Sequence, residues 1–326
     1  MRRRTFLAAA SGAALWPGLG LAQASAPKRI GFVTMTSPAS PMSSAWAEEF
    51  RRGMRDLGYV DGRDMAIETH FTDGDQERTR AVVRKLVQDK ADILVVTATP
   101  TIALAKQEAG SVPIVMTSVS DPIAAGFAQS LARPGGNLTG RTILGPELAG
   151  KRIDLIREIR PGLKTIGFLG SSTDSNTIRF VRETQAEADR AGLKLVVRLA
   201  EGARAIDAAL FESMRRDGVE AVIVQPIFSS SAPQIVASAN EAGLPVMGDL
   251  VTSARAGAVL SLGIDQDANM RRAAYFVDRI FRGASPAELP IEQPTETKLA
   301  INLAAARRFG WTVPPALLAR ADEVIE

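Results

Sequence analysis

The chain has 326 residues, with 39 Lys and Arg against 36 Asp and Glu, one histidine and no cysteine. Without cysteine there is no disulfide framework and no thiol-borne lipid anchor, and a single histidine leaves no ordinary transition-metal cluster. Three of the arginines sit at positions 2–4, so the rest of the chain is near neutral and holds no basic run suited to nucleic acid or an anionic membrane.

Arg2, Arg3 and Arg4 precede Thr5, Phe6 and Leu7, and an Ala/Gly/Leu-rich run continues to Leu21. With small residues at Ala22, Ala24 and Ala26, this pattern predicts an export signal over residues 1–26, cleaved after Ala24 or Ala26. Arg3-Arg4 resembles a twin-arginine signal, so the expected location is the periplasm. The remaining 300 residues suffice for two domains, each with its own core.

Residues 28–34 (KRIGFVT) read as a short apolar strand. Over 43–57, Trp46, Phe50, Met54 and Leu57 fall at i, i+4, i+8 and i+11, one face of a helix that Gly58 ends. A strand at 65–71, a helix at 75–90 and a strand at 91–97 follow. The last (ADILVVT) is continuously apolar, as a parallel strand covered on both faces requires. Thr99-Pro100 opens another helix. The stretch 112–140 then supplies a buried strand at 114–116 and a polar end from Thr117 to Asp121. Its helix is predicted to run from Pro122 to about Leu131, capped by Asp121 and stopped by Arg133-Pro134-Gly135-Gly136.

The same grammar restarts after a helix at 147–159: strand 164–169, helix 174–191, strand 193–199, helix 205–217, strand 221–225, a helix ending near Gly243, and strand 244–247. A further strand at 258–262 precedes a helix at 266–282, with Met270, Ala274, Val277 and Phe281 on one face. Repeated β-α units of this spacing imply two parallel sheets with right-handed crossovers.

The chemistry of catalysis is missing from this inventory. His70 falls in mid-strand and reads as a sheet residue, and the chain has neither a phosphate-cradling Gly-rich loop nor an activated nucleophile. No cofactor or metal is expected. Polar clusters instead stand at the carboxyl ends of nearly all the predicted strands, where open α/β sheets bind ligands. In the first half these include Thr36, Ser37, Thr97, Thr99, Ser118, Ser120 and Asp121; in the second, Ser171, Ser172, Asp174, Asn176, Thr177, Gln225 and Asp249. Short hydroxyls and amides at helix N-termini suit small anions and zwitterions; any one of them reads as a helix cap in preference to a ligand contact, and the case for a site rests on the two facing sets. Trp46 reads as core packing in preference to ring stacking on a ligand. Phe228, directly after a strand end, reads as either cleft wall or core.

The run SDPIAAGFAQSLARPGGNLTG (120–140), ELAGKR (147–152) and the tail segments LPIEQPTETKLAINL and VPPALLARADEVIE closely resemble the substrate-binding proteins of an ABC transporter family that includes binders of aromatic amino acids. The resemblance covers almost the whole chain after the signal. It implies the type I periplasmic fold: two Rossmann-like α/β lobes, residues 27–141 plus 264–295 and 142–263 plus 296–326, joined by three crossover strands. It further implies a monomer that captures a small-molecule ligand between the lobes and delivers it to a membrane permease, with a receptor-presented sensor or an enzyme as competing readings. In the resemblance, Asn176-Thr177 stand where the family places Asn-Ser at a helix start to hold a ligand carboxylate. Pro226-Ile227 stand where its amino-acid binders place an Asp-Asn pair for the amine, which leaves Asp249, Gln225 or Asp121 to meet any amine.

Overall fold

The computed structural model describes residues 26–326; the expected signal, except Ala26, lies outside the described residues. The first sheet draws on the elements β1 (Lys28–Thr34), α1 (Pro41–Asp56), β2 (Met65–Phe71), α2 (Gln76–Gln88), β3 (Ile93–Thr97), α3 (Thr99–Glu108), β4 (Ile114–Val119) and β5 (Leu138–Thr142). Its strands are all parallel, in the order β2-β1-β3-β4-β5.

The second sheet is built from α4 (Ala149–Ile159), β6 (Thr165–Ser171), α5 (Thr177–Arg190), β7 (Lys194–Ala200), α6 (Ala208–Arg216), β8 (Ala221–Val224), α7 (Ala232–Glu241), β9 (Val246–Gly248), α8 (Val251–Arg255) and β10 (Leu260–Gly263). After α9 (Gln266–Phe281) it is completed by β11 (Lys298–Asn302), α10 (Leu303–Arg308), α11 (Pro315–Leu318) and β12 (Glu323–Ile325). Its order is β12-β11-β10-β9-β8-β6-β7, parallel except for the β10–β11 pair.

The two sheets repeat one pattern. In each, the first strand lies between the second and the third, so the crossovers into and out of the second strand pass to opposite faces and leave a crevice at the strands' carboxyl ends. Apolar residues cover both faces of each sheet. In the first, Phe50 and Met54 of α1 meet Met270, Phe276 and Val277 of α9 on one side, and Val83, Leu86 and Ile102 pack on the other. In the second, α4 and α5 cover one face and α6 and α7 the other. Covering on both faces is what makes strands such as Ile93–Thr97 buried at every position.

The chain passes between the sheets three times: from β5 to α4, from β10 to α9, and from Glu292, which bridges to Arg141, to β11. Thus α9 follows the second sheet in sequence but packs on the first. Among the described residues no helix is long and apolar enough to cross a membrane.

Three expected features differ. The helix predicted from Pro122 does not form. Asp121 does accept the N–H groups of Ile123 and Ala124, as a cap would, but Gly126 then turns into the left-handed region at φ 71°. Lys106 Nζ donates to the carbonyls of Gly126 and Phe127, supplying from outside the bonds a continuing helix would have made. Secondly, α5 begins at Thr177 instead of Asp174, because the Asp174 carboxylate accepts the Asn176 N–H and holds a turn ahead of the helix. Thirdly, residues 138–142 form β5, which their polar, glycine-containing sequence does not announce. Gly140 is required there: a Cβ on it would lie 2.1 Å from the carbonyl oxygen of Met116, where β4 bulges.

Candidate ligand-binding site

A cavity of about 710 Å³, counting the part open to solvent, lies between the carboxyl ends of the two sheets. Each sheet contributes the ends of its first, third and fourth strands in chain order. Thr36 follows β1, Thr97 to Thr99 close β3, and Ser118 and Ser120 close β4; facing them, Asp174 follows β6, Gln225, Pro226, Ile227, Ser229 and Ser230 follow β8, and Asp249 follows β9. The floor is made by the crossing segments, with Ile143, Leu144, Gly263 and Ile264.

Backbone strain accompanies this arrangement. Ala98 (φ 68°) and Ser118 (φ 60°) are both held in the left-handed region and both line the cavity. Such conformations cost a non-glycine residue free energy and persist where the surroundings impose them. At Ser118 the bulge in β4 supplies the imposition, and its hydroxyl then accepts a 2.6 Å hydrogen bond from Gln266 Nε2 at the start of α9. Behind Thr36, the Thr97 hydroxyl donates to that of Thr34 at 2.9 Å, and Thr34 and Thr36 share a further hydrogen bond.

The second-sheet wall is organised by Gln225. Its Oε1 accepts the Ser171 N–H (2.8 Å) and the Thr177 hydroxyl (2.9 Å), while its Nε2 donates to Asp174 (2.8 Å), so the amide orientation is fixed. Burial pushes the Asp174 carboxyl above its ordinary value, against the pull of the Asn176 N–H and Thr99. Asp249 is displaced in the same direction, to about 6, chiefly by burial, with Arg152 and the Ser229 hydroxyl acting in the opposite sense. Arg152 itself is buried; its guanidinium donates to the carbonyls of Leu262 and Gly145, and burial lowers its pKa.

Eight of the expected residues therefore share the cavity wall: Thr36, Thr97, Thr99, Ser118, Ser120, Asp174, Gln225 and Asp249. The others stand behind or beside it. Ser37 accepts through its carbonyl from Ser43 at the start of α1. Ser171 and Thr177 are bound to Gln225, and Ser172 takes a backbone bond from its N–H to Ala200. Asn176 does not cap α5; its Nδ2 crosses between the lobes to donate to Thr99 Oγ1 at 3.0 Å. Asp121 likewise crosses, pairing with Arg179 of α5, which also holds Glu147. Phe228 is 3% exposed and belongs to the core between α7 and the second sheet.

Several wall residues were read otherwise or not singled out in the sequence. Trp46 is both core and wall: it packs with Phe50 and borders the cavity. Phe180 lies one helical turn beyond Thr177, on the same face of α5, so that spacing marks it once the helix start is known. Ser229 and Ser230 come from the 3₁₀ turn after β8, and Ile264 and Gln266 from a crossing segment. Among the wall residues none is Lys, Arg or His.

A two-lobed α/β chain with its cavity at the facing crevices of two parallel sheets has the architecture of a small-ligand binding protein. Residues 40–325 match the family described as ABC transporter substrate binding protein, and the chain belongs to that family. It is 27% identical over 254 residues to the tyrosine-binding protein of Clostridioides difficile (strain R20291), a match covering 78% of this chain and 73% of that protein. Its fold is similar to that of an ABC domain from Streptococcus pneumonia solved in complex with L-Trp, with TM-score 0.85 and 28% identity over 92% of this chain and 100% of the other. A conserved domain protein from Vibrio cholerae is similar at TM-score 0.84 and 26% identity, covering 91% of this chain and 99% of that one.

Proposed function

We propose that the protein captures a small polar or zwitterionic solute outside the cytoplasm by closing its two lobes, and presents the closed form to a membrane permease. The observation that carries this reading is that both lobes wall one cavity and touch across it through pairs that lobe separation would break. Asn176 to Thr99, Arg179 to Asp121, Arg204 to Asp73, and Ser40 to the Ser230 carbonyl are such pairs. A solute that contacts both walls favours the closed arrangement by its differential affinity for it.

The lobes are taken as residues 27–141 plus 264–295 and 142–263 plus 296–326, with three crossings that restrict motion to a hinge. The ligand-binding residues are taken from the wall, and Asn176, Thr177 and Asp121 act beside it by holding the lobes or fixing Gln225. Export through the signal at 1–26 places the protein in the periplasm; replacing Arg3 and Arg4 by lysine should leave unprocessed precursor in the cytoplasm, and normal processing would refute twin-arginine dependence. The protein acts as a monomer and does no chemistry on its solute.

A thermal-shift screen against amino acids, amines, carboxylates and sugars tests capture, since a ligand at 100 times its Kd stabilises the bound form by about 2.7 kcal/mol. Small-angle scattering with a saturating hit then tests closure. A radius of gyration that stays at its ligand-free value would refute the hinge.

A further inference from the structure

The start of α5 carries three contacts at helical spacing. Asn176 donates to Thr99 of the first lobe, Arg179 pairs with Asp121 of that lobe at 2.8 Å, and Phe180 borders the cavity. Residues three and four apart share a helix face, so one turn meets the other lobe and the cavity together. The second bond of Arg179, 2.7 Å to Glu147, stays within the second lobe. The other oxygen of Glu147 accepts the Gly145 N–H at 3.1 Å in the first crossing segment. The Gly145 carbonyl accepts from Arg152, which also donates to the Leu262 carbonyl, where the second crossing begins. A Cβ on Gly145 would lie 2.4 Å from the Phe180 ring, so this crossing packs directly on the cavity wall. Arg179 is thus fixed by the hinge, and closure brings Asp121 to it.

Magnitudes single this pair out among those that span the cleft. Arg204 and Asp73 also meet across it, but the Arg204 side chain is 88% exposed, and exposed ion pairs contribute little. Arg179 and Asp121 are 29% and 21% exposed, so their attraction exceeds that of a fully solvated pair. Neither is stranded when the lobes part: Arg179 keeps Glu147, and Asp121 keeps the N–H groups of Ile123 and Ala124. An ion pair whose members are served in both arrangements shifts a population without locking it.

We propose that Arg179 is a positioning residue for solute capture: through Asp121, and without touching the solute, it raises the fraction of closed protein before solute arrives. This deepens the hinge-closure reading given above and rests on it. When the binding-competent state is only partly populated, affinity is reduced by that fraction, so the pair acts on every solute the cavity takes. Salt acts through the same step, since the screening length falls from about 30 Å at about 0.01 M to about 3 Å at about 1 M.

The chain has no cysteine, so Glu77→Cys on α2 and Arg216→Cys on α6, both exposed, place one spin label on each lobe. Pulsed electron paramagnetic resonance on the exported, ligand-free protein then counts open and closed molecules at low and high salt. The closed fraction should fall as salt is added. Asp121→Asn, which keeps an acceptor for the Ile123 and Ala124 N–H groups, and Arg179→Gln should each lower the closed-to-open ratio roughly two- to fivefold and flatten the salt response. Arg182→Gln removes the same charge from the same helix but pairs only with Glu183, and should leave both unchanged. A merely structural role would not move this ratio. Calorimetry follows with L-tryptophan, L-tyrosine, ribose and myo-inositol; those that bind should bind Asp121→Asn and Arg179→Gln more weakly, by at most that factor. A far larger loss in Arg179→Gln alone would put Arg179 on the solute and overturn the proposal. Two distance populations whose ratio ignores both substitutions overturn it and leave hinge closure standing. A single open distance at every salt concentration also overturns it, and one that persists with a saturating solute overturns hinge closure as well.

Discussion

Replacing Asp249 by asparagine should make the ligand-free protein more stable at neutral pH. In the native state the carboxyl titrates at about 6 instead of its ordinary 3.8, so between pH 4 and pH 6 the folded chain holds a proton the unfolded chain has released. Stability contributed by this group is therefore lost as pH rises through that window and is constant above it. The displacement corresponds to about 3 kcal/mol of destabilisation at pH 7, once the buried group is ionised. Arg152 remains in the variant, and its attraction for the carboxylate is already contained in the value of about 6. Asp174, displaced in the same direction, is present in both proteins and cancels from their difference. Urea unfolding of wild type and Asp249→Asn from pH 4 to pH 7.5 measures the effect directly. The two should nearly coincide at pH 4 and separate by about 2–3 kcal/mol at pH 7, with the variant the more stable. Parallel profiles, or a variant less stable at pH 7, would refute the assignment of Asp249 as a carboxylate destabilised by burial.

Asn176→Ala removes the bond to Thr99 that exists only while the lobes are together, a net loss of about 0.5–1.5 kcal/mol, so calorimetry should show solute affinity reduced about two- to tenfold. A hundredfold loss would instead place Asn176 in direct contact with the solute, as the sequence pattern suggested. Arg152→Met leaves the buried Gly145 and Leu262 carbonyls without their side-chain donor and should destabilise the fold by about 2–5 kcal/mol in urea unfolding. Unchanged stability would show that those carbonyls find other partners.

The strands, their parallel pairing and most helices were written in local pattern: Trp46, Phe50 and Met54 mark a helix face, and the apolar run ending at Thr97 marks a doubly covered strand, because burial selects residue type at fixed periods. The failures fall where a non-local contact decides. The 120–140 run carries a helix cap and a proline, yet Gly126 and a distant lysine divert it into a turn. Residues 138–142 become a strand only because β4 is there to pair with. The candidate site divides the same way. Its polar residues were legible as the contents of strand ends, since every parallel β-α unit puts its short polar side chains at that junction. Which of them face the cavity was not: Asn176 and Asp121 are turned toward the other lobe, Thr177 toward Gln225, and Phe228 into the core. The sequence alone supplied two α/β lobes with polar strand ends. The tertiary structure decided the charge of the site, because burial of Asp174 and Asp249 and the diversion of Arg152 to backbone carbonyls depend on segments more than a hundred residues apart meeting at the floor of one cleft.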